Sequence, residues 1–236
     1  MKKLVLLSGL FCGMISAGKA QSTIEFIPQF GYTFADQLNF GNTFGRVDAD
    51  YNFGGSFQFN FSRHFGFEMM YNGMQVPAKL YNYGDLPGDP PKYQTTAGIN
   101  YIMAGPVSSF TLPDSRSALF FGADLGAAIF TPHPNTFSSN ASFAYGFQAG
   151  ANIYMGSHFG LRLSGRLLGS VPPSSGYYFG NWGYPQSYYY TGPGLLQFGF
   201  SAGLIIGLGK KLPTYQKPQR HYYNPPPPPP RRYYYY

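Results

Sequence analysis

The amino-acid sequence predicts an all-β fold: an eight-stranded antiparallel up-and-down transmembrane β-barrel, followed by a disordered C-terminal tail rich in Pro and Tyr. Only 11% of the 236 residues are charged, against about 25% in a typical soluble domain. Mean hydropathy is nevertheless only -0.20, so apolar residues must be interleaved with polar ones. After residue 20 there is no run of about 18 apolar residues that would form a spanning helix. Membrane-crossing strands are therefore favoured.

Eight segments alternate between an apolar and a polar or small side chain, which is the pattern of a strand with two different faces. In the second segment, for example, Val47 and Tyr51 belong to the apolar face, whereas Asp48 and Asp50 belong to the polar face near the outer mouth. The predicted strands span approximately 23–34, 47–61, 64–75, 93–104, 118–131, 141–155, 158–169 and 195–208.

The apolar face carries no charged residue in any of these segments. An eight-stranded barrel is only just wide enough inside for side chains, so we expect this face to contact lipid and the polar face to line the interior. A soluble barrel or sandwich would instead need a charged exterior. Long connections on one side and shorter turns on the other are also typical of membrane barrels. We assign residues 21–209 to the barrel.

The first 20 residues have the features of a signal peptide. Two lysines precede an apolar run over 4–17, and Gly18-Lys19-Ala20 provides small residues for cleavage before Gln21. Cys12, the only cysteine, lies within this segment. The mature chain is therefore expected to have no disulfide and no thiol nucleophile.

The last predicted strand carries a spaced motif, polar-x-Gly-x-x-apolar-x-apolar, formed by Ser201, Gly203, Ile206 and Leu208. With the strand number and the loop asymmetry, residues 21–208 resemble the small eight-stranded outer-membrane barrels of Gram-negative bacteria, the OmpA/OmpX-like group. The resemblance implies a location in the outer membrane, with both termini of the mature chain in the periplasm and contact with outer-membrane lipid. It also implies that the barrel-insertion machinery reads this motif. In many relatives the motif ends the chain with an aromatic residue, whereas a tail follows here.

Five charged residues fall on the interior face of the predicted strands: Glu25, Glu68, Asp124, Arg162 and Arg166. Buried charges persist only when they are paired and hydrogen-bonded, so we predict a salt-bridged cluster centred on the two arginines. The favoured interpretation is a structural latch that closes the barrel. The alternative is a narrow gated pore for ions or small solutes.

The longest connection, 170–194, is uncharged and aromatic. Such a loop suits binding of a glycan or protein, as in adhesion, but its basal residues equally suit the aromatic belt of a membrane interface. Both interpretations stay open, and Trp182 and Tyr184 are the residues to mutate first. The candidate binding residues are Tyr177, Tyr178, Phe179, Trp182, Tyr184, Tyr188, Tyr189 and Tyr190.

The segment 210–236 holds eight prolines, seven tyrosines, six basic residues and no acidic one. This composition predicts a disordered periplasmic tail that either contacts the cell wall or another periplasmic partner, or only solubilises the chain. The net charge of +7 divides into +3 from the leader, -2 from the barrel and +6 from the tail. No nucleic-acid partner is therefore expected.

A lipid-active enzyme is the third hypothesis. Of the four histidines, only His133 is expected on the outer side, where prolines flank it and no His-x-Ser pair accompanies it. We therefore predict no enzyme activity, no cofactor and no metal site. The chain is expected to be a monomer.

Overall fold

The computed structural model describes residues 23–40, 43–82, 84, 90–91, 93–113, 115–133, 140–156, 158–171 and 194–208. The predicted signal peptide (1–20) and tail (210–236) lie outside these ranges. The strands are β1 (Thr23–Thr33), β2 (Asp36–Phe40), β3 (Thr43–Val47), β4 (Asp50–Asn60), β5 (Phe65–Asn82), β6 (Tyr93–Thr111), β7 (Ser117–His133), β8 (Asn140–Tyr154), β9 (Phe159–Val171) and β10 (Leu195–Leu208).

Eight of these strands close into an antiparallel barrel, in the order β1, β4, β5, β6, β7, β8, β9, β10 and back to β1. Closure is made by the first and last strands, where Ile24 faces Leu208 and Thr33 faces Gly199. The predicted eight-stranded barrel is confirmed. We call the end that holds Thr23 and Leu208 the terminal rim and the opposite end the loop rim. No helix in the described ranges is long and apolar enough to cross a membrane.

The two faces of the barrel strands differ as the alternation predicts. In β10, Leu196 and Phe200 are 44% and 55% exposed on the outside, whereas Leu195 and Gln197 are 0% and 1% exposed inside. This pattern follows from the two-residue period of a strand. The outer surface of the barrel is thus apolar and exposed.

The predicted strand 47–61 is wrong at its start. Within the first long connection, β2 (Asp36–Phe40) pairs antiparallel with β3 (Thr43–Val47), and β4 begins only at Asp50. Odd-numbered residues face inward before the break between β3 and β4 and outward after it, because a slip of one residue moves every side chain to the other face. Val47 is therefore buried inside, while Tyr51 is 62% exposed outside. Asp48, predicted to face the interior, lies on the outer wall.

Two further strands are longer than predicted. β5 continues to Asn82 instead of residue 75, and β6 continues to Thr111 instead of residue 104. Their pairing extends to Leu80 opposite Tyr93, and β3 pairs with the same upper part of β5. In β5 the alternation fades because outward residues beyond Tyr71, such as Gln75, are no longer apolar.

The interior has two zones, so it is not polar throughout as predicted. The charged network lies in the half near the terminal rim, where a small apolar cluster of Ile27, Ala118, Tyr154 and Ile205 is also buried. A larger buried apolar cluster lies in the half near the loop rim, beside buried polar side chains such as Asn52, Asn72 and Gln197. Its members are Val47, Met70, Met74, Val76, Ile99, Tyr101, Met103, Ala128, Phe130, Ala144, Leu168 and Leu195.

Candidate functional site

The five predicted interior charges all point into the barrel and are at most 4% exposed. They come from four strands: Glu25 from β1, Glu68 from β5, Asp124 from β7, and both arginines from β9. Arg162 and Arg166 share a face because they are an even number of residues apart. They are separated by roughly 13 Å along the strand.

Arg162 is the centre of the charged interior. Its Nη1 donates to Glu68 Oε2 at 2.9 Å, its Nε donates to Asn152 Oδ1 at 2.9 Å, and its Nη2 donates to Gln58 Oε1. The guanidinium also lies 4.2 Å from the centroid of the Phe120 ring. Every nitrogen of this guanidinium has a partner, which a buried arginine requires.

The acidic side chains join this centre through neutral amides. Gln148 Nε2 donates to Glu68 Oε2 at 3.3 Å and to Asp124 Oδ2 at 3.1 Å. Glu25 is connected to Arg162 through Gln58 and Asn60. Gln58 Nε2 donates to Asn60 Oδ1 at 2.6 Å, and Asn60 Nδ2 donates to Glu25 Oε1 at 3.0 Å. One hydrogen-bonded network therefore runs from the terminal rim to the middle of the barrel.

Arg166 has a different environment from Arg162. Its Nη2 donates to Gln29 Oε1 at 2.6 Å, and within the described ranges only Arg162 forms an interior ion pair, with Glu68. Arg162 thus makes the direct ion pair of the cluster. Arg166 lies further towards the loop rim, where its neighbour across the sheet is the neutral Gln148. It lines a small cavity of about 10 Å³ together with Asn52, Asn72 and Leu168, a space of about one water molecule.

The remaining predicted residues divide into two groups. The four residues of the assembly motif lie in β10, with Ser201 inside and Leu208 outside, but their recognition by the insertion machinery stays a prediction. The candidate binding residues of the long aromatic loop lie outside the described residues: Tyr177, Tyr178, Phe179, Trp182, Tyr184, Tyr188, Tyr189 and Tyr190.

The described histidines are scattered over both ends of the barrel. His64 and His158 lie in turns at the terminal rim, and His133 is the last residue of β7 at the loop rim. Where the structure describes the chain, no three His, Cys, Asp or Glu side chains come close enough together to hold a metal ion.

Comparison with known proteins gives a fold and no family. No protein-family model matches the chain, and no curated protein matches it. Among solved structures, Neisserial surface protein A has a TM-score of 0.53 at 14% identity, covering 79% of this chain and 99% of that one. The outer membrane protein OprG from Pseudomonas aeruginosa has a TM-score of 0.48 at 14% identity, covering 80% and 96%.

The N-terminal β-barrel domain of Pseudomonas aeruginosa OprF has a TM-score of 0.41 at 12% identity, covering 78% of this chain and 97% of that one. At these identities the likeness to Neisserial surface protein A concerns the fold alone. The fold is that of the small eight-stranded outer-membrane barrels.

Proposed function

We propose that this chain is a structural protein of the outer membrane, a monomeric barrel whose interior is closed. The observation that carries the proposal is that side chains fill the interior in two successive zones. The network around Arg162 occupies the half near the terminal rim, and the apolar cluster occupies the half near the loop rim.

The outer surface supports the membrane location. Among the residues that the structure describes, thirty large apolar side chains are exposed, including Phe53 at 58% and Leu125 at 61%. A continuous apolar surface of this size is unfavourable in water and stable in lipid, and a closed barrel leaves no unpaired strand edge in the bilayer. The terminal rim, with its short turns, is proposed to face the periplasm.

Packing in the loop-rim zone favours the closed barrel over the narrow pore. Val76, Ile99 and Leu195 are at most 1% exposed there, and apolar packing of this kind opposes the passage of water and ions. Next to this zone, the buried ion pair of Arg162 and Glu68 ties β9 to β5 across the interior.

Planar-bilayer recordings test the closed interior. The purified wild-type barrel is expected to show no regular stepwise conductance. Arg162→Ala is compared with Arg63→Ala, which removes an exposed arginine from a turn at the terminal rim. Reproducible wild-type openings whose size changes in Arg162→Ala but not in Arg63→Ala would establish the pore instead.

Surface binding by the long loop is the second candidate function, supported by its uncharged, tyrosine-rich sequence. Deletion of residues 177–190 is expected to reduce adhesion to a glycan or protein surface, and unchanged adhesion would remove this candidate. Contact of the tail with the cell wall stays a prediction, as does the monomeric state.

A further inference from the structure

Three charged residues form a patch on the outer wall of the barrel above its apolar band. Arg46 of β3 faces Lys79 of β5 directly in the register of the sheet, and Asp48 follows β3. We call Arg46, Asp48 and Lys79 the outer basic patch. Their neighbours Val47 and Ala78 are buried inside, so Arg46 and Lys79 lie on the outward face.

Asp48 holds the two bases together without neutralising both. Its Oδ1 lies 3.1 Å from Arg46 Nε, and its Oδ2 lies 2.5 Å from Lys79 Nζ. The patch therefore carries one excess positive charge. Two other acids of this rim face inward, since Asp36 pairs with Val47 and Asp50 pairs with the buried Thr33.

The arginine of the patch is open to a ligand. Its side chain is 56% exposed, and Asp48 takes up only the Nε side of the guanidinium. The remaining N–H groups make no other hydrogen bond within the described ranges. A planar guanidinium with both terminal NH2 groups free is suited to the bidentate binding of a phosphate.

The height of the patch places it among lipid headgroups. Outward positions of β5 are apolar or glycine from Phe65 to Gly73, and Gln75 is the first amide above them. From Phe65 to Gln75 the strand rises about 25 Å along the barrel axis at the usual strand tilt, which is the height of the apolar band in other membrane barrels. Lys79 lies four residues beyond Gln75, roughly 10 Å higher at the usual strand tilt.

An aromatic pair lies directly above the bases. Phe44 and Tyr81 face each other across β3 and β5 with stacked rings whose centroids are 5.1 Å apart. They occupy the next outward position of each strand. Basic side chains below an aromatic surface match a ligand that carries both a phosphate and a sugar.

We propose that Arg46 and Lys79 bind a phosphate of the glycolipid that surrounds the barrel in the outer leaflet, with Phe44 and Tyr81 packed against its sugar. The proposal rests on the outer-membrane location proposed above, because the outer leaflet of a Gram-negative outer membrane consists of a phosphorylated glycolipid. Bound lipid would fix the depth of the barrel on this side.

Native mass spectrometry of the full-length mature protein in detergent tests the patch, with bisphosphorylated lipid A as the probe. The double variant R46Q/K79Q removes both bases. The matched control R63Q/R116Q removes two exposed bases of the terminal rim. We expect the wild type and the control to retain one lipid A molecule, and R46Q/K79Q to bind it about tenfold more weakly.

Equal binding by the two double variants would overturn the proposal, as would equal binding of fully dephosphorylated lipid A by the wild type. Equal competition by phosphatidylglycerol would overturn the assignment to a glycolipid. Fractionation of the wild type with the outer membrane is measured separately. Its failure there would contradict the proposed function, whereas a failure of lipid A binding alone would contradict only the role of the patch.

Discussion

At the scale of single residues, the two interior arginines show that burial and pairing are separate properties. Arg162 and Arg166 lie on the same face of the same strand and are 1% and 4% exposed. Of the two, Arg162 alone forms an ion pair within the described part of the chain, with Glu68. Because removal of one partner leaves a buried charge uncompensated, the two positions should respond differently to mutation of the carboxylates.

We expect Glu68→Gln to lower the free energy of unfolding by about 3 to 5 kcal/mol, the cost typical of breaking a buried ion pair. Asp124→Asn is the control, since Asp124 accepts a hydrogen bond from Gln148 and lies outside that ion pair. Its cost should be smaller. Urea unfolding in phospholipid vesicles, followed by circular dichroism, measures both, and equal costs would refute the central role of Arg162.

Gly150 gives a second prediction at this scale. A Cβ at this position would lie 2.0 Å from the carbonyl oxygen of Leu163 and 2.9 Å from the Phe120 ring, and that ring lies against the Arg162 guanidinium. Gly150→Ala should therefore cost about 1 to 3 kcal/mol of stability.

Gly165→Ala is the matched control for Gly150. Gly165 lies on the neighbouring strand, and its Cβ would meet only the Phe200 and Phe198 rings at 3.6 Å or more. The same unfolding measurement should show little change there. A Gly150→Ala barrel as stable as the wild type would mean that the packing around Phe120 is looser than described.

The sequence predicts where the interior charges lie, because alternation assigns each residue to a face. It does not predict their partners. Arg162 and Glu68 are 94 positions apart in the chain, and their contact depends on the closure and register of the barrel, which no local pattern contains. For the same reason the sequence does not show that Arg162, and not Arg166, makes the ion pair with Glu68.

At the scale of elements, the hairpin β2–β3 shows the limit of the alternation pattern. The pattern continues through residues 48–49 as though β3 and β4 were one strand, but the break between them exchanges the two faces. The outer basic patch exists only because of this exchange, which brings Asp48 to the outside beside Lys79. A break of this kind leaves no mark in hydropathy, since apolar Val47 is simply buried on the other side.

Cysteine labelling tests the shifted alternation. Val47→Cys and Arg46→Cys are introduced separately into the mature chain, which is expected to contain no other cysteine. A polar maleimide should label Arg46→Cys at least about tenfold faster in detergent, because Val47 is 4% exposed and buried thiols are protected. Faster labelling of Val47→Cys than of Arg46→Cys would contradict the break and support one continuous strand over 47–61.

At the scale of the whole molecule, composition and alternation together predicted the closed barrel, its strand number and its apolar exterior. They did not predict that apolar clusters are buried inside the barrel beside the charged network. The signal was present in β5 and β6, where Met70, Met74 and Ile99 occupy inward positions. Alternation assigns each residue to a face but does not show which side chains meet inside, so only the closed structure reveals these clusters.

Heat-modifiable gel mobility of the protein extracted from cell fractions tests the central claim, a closed barrel in the outer membrane, most directly. A folded barrel resists unfolding by detergent until it is heated, because all of its backbone hydrogen bonds lie within the closed sheet. We predict recovery in the outer-membrane fraction and different mobilities for unheated and boiled samples. Recovery in a soluble fraction, with the same mobility before and after boiling, would contradict the account.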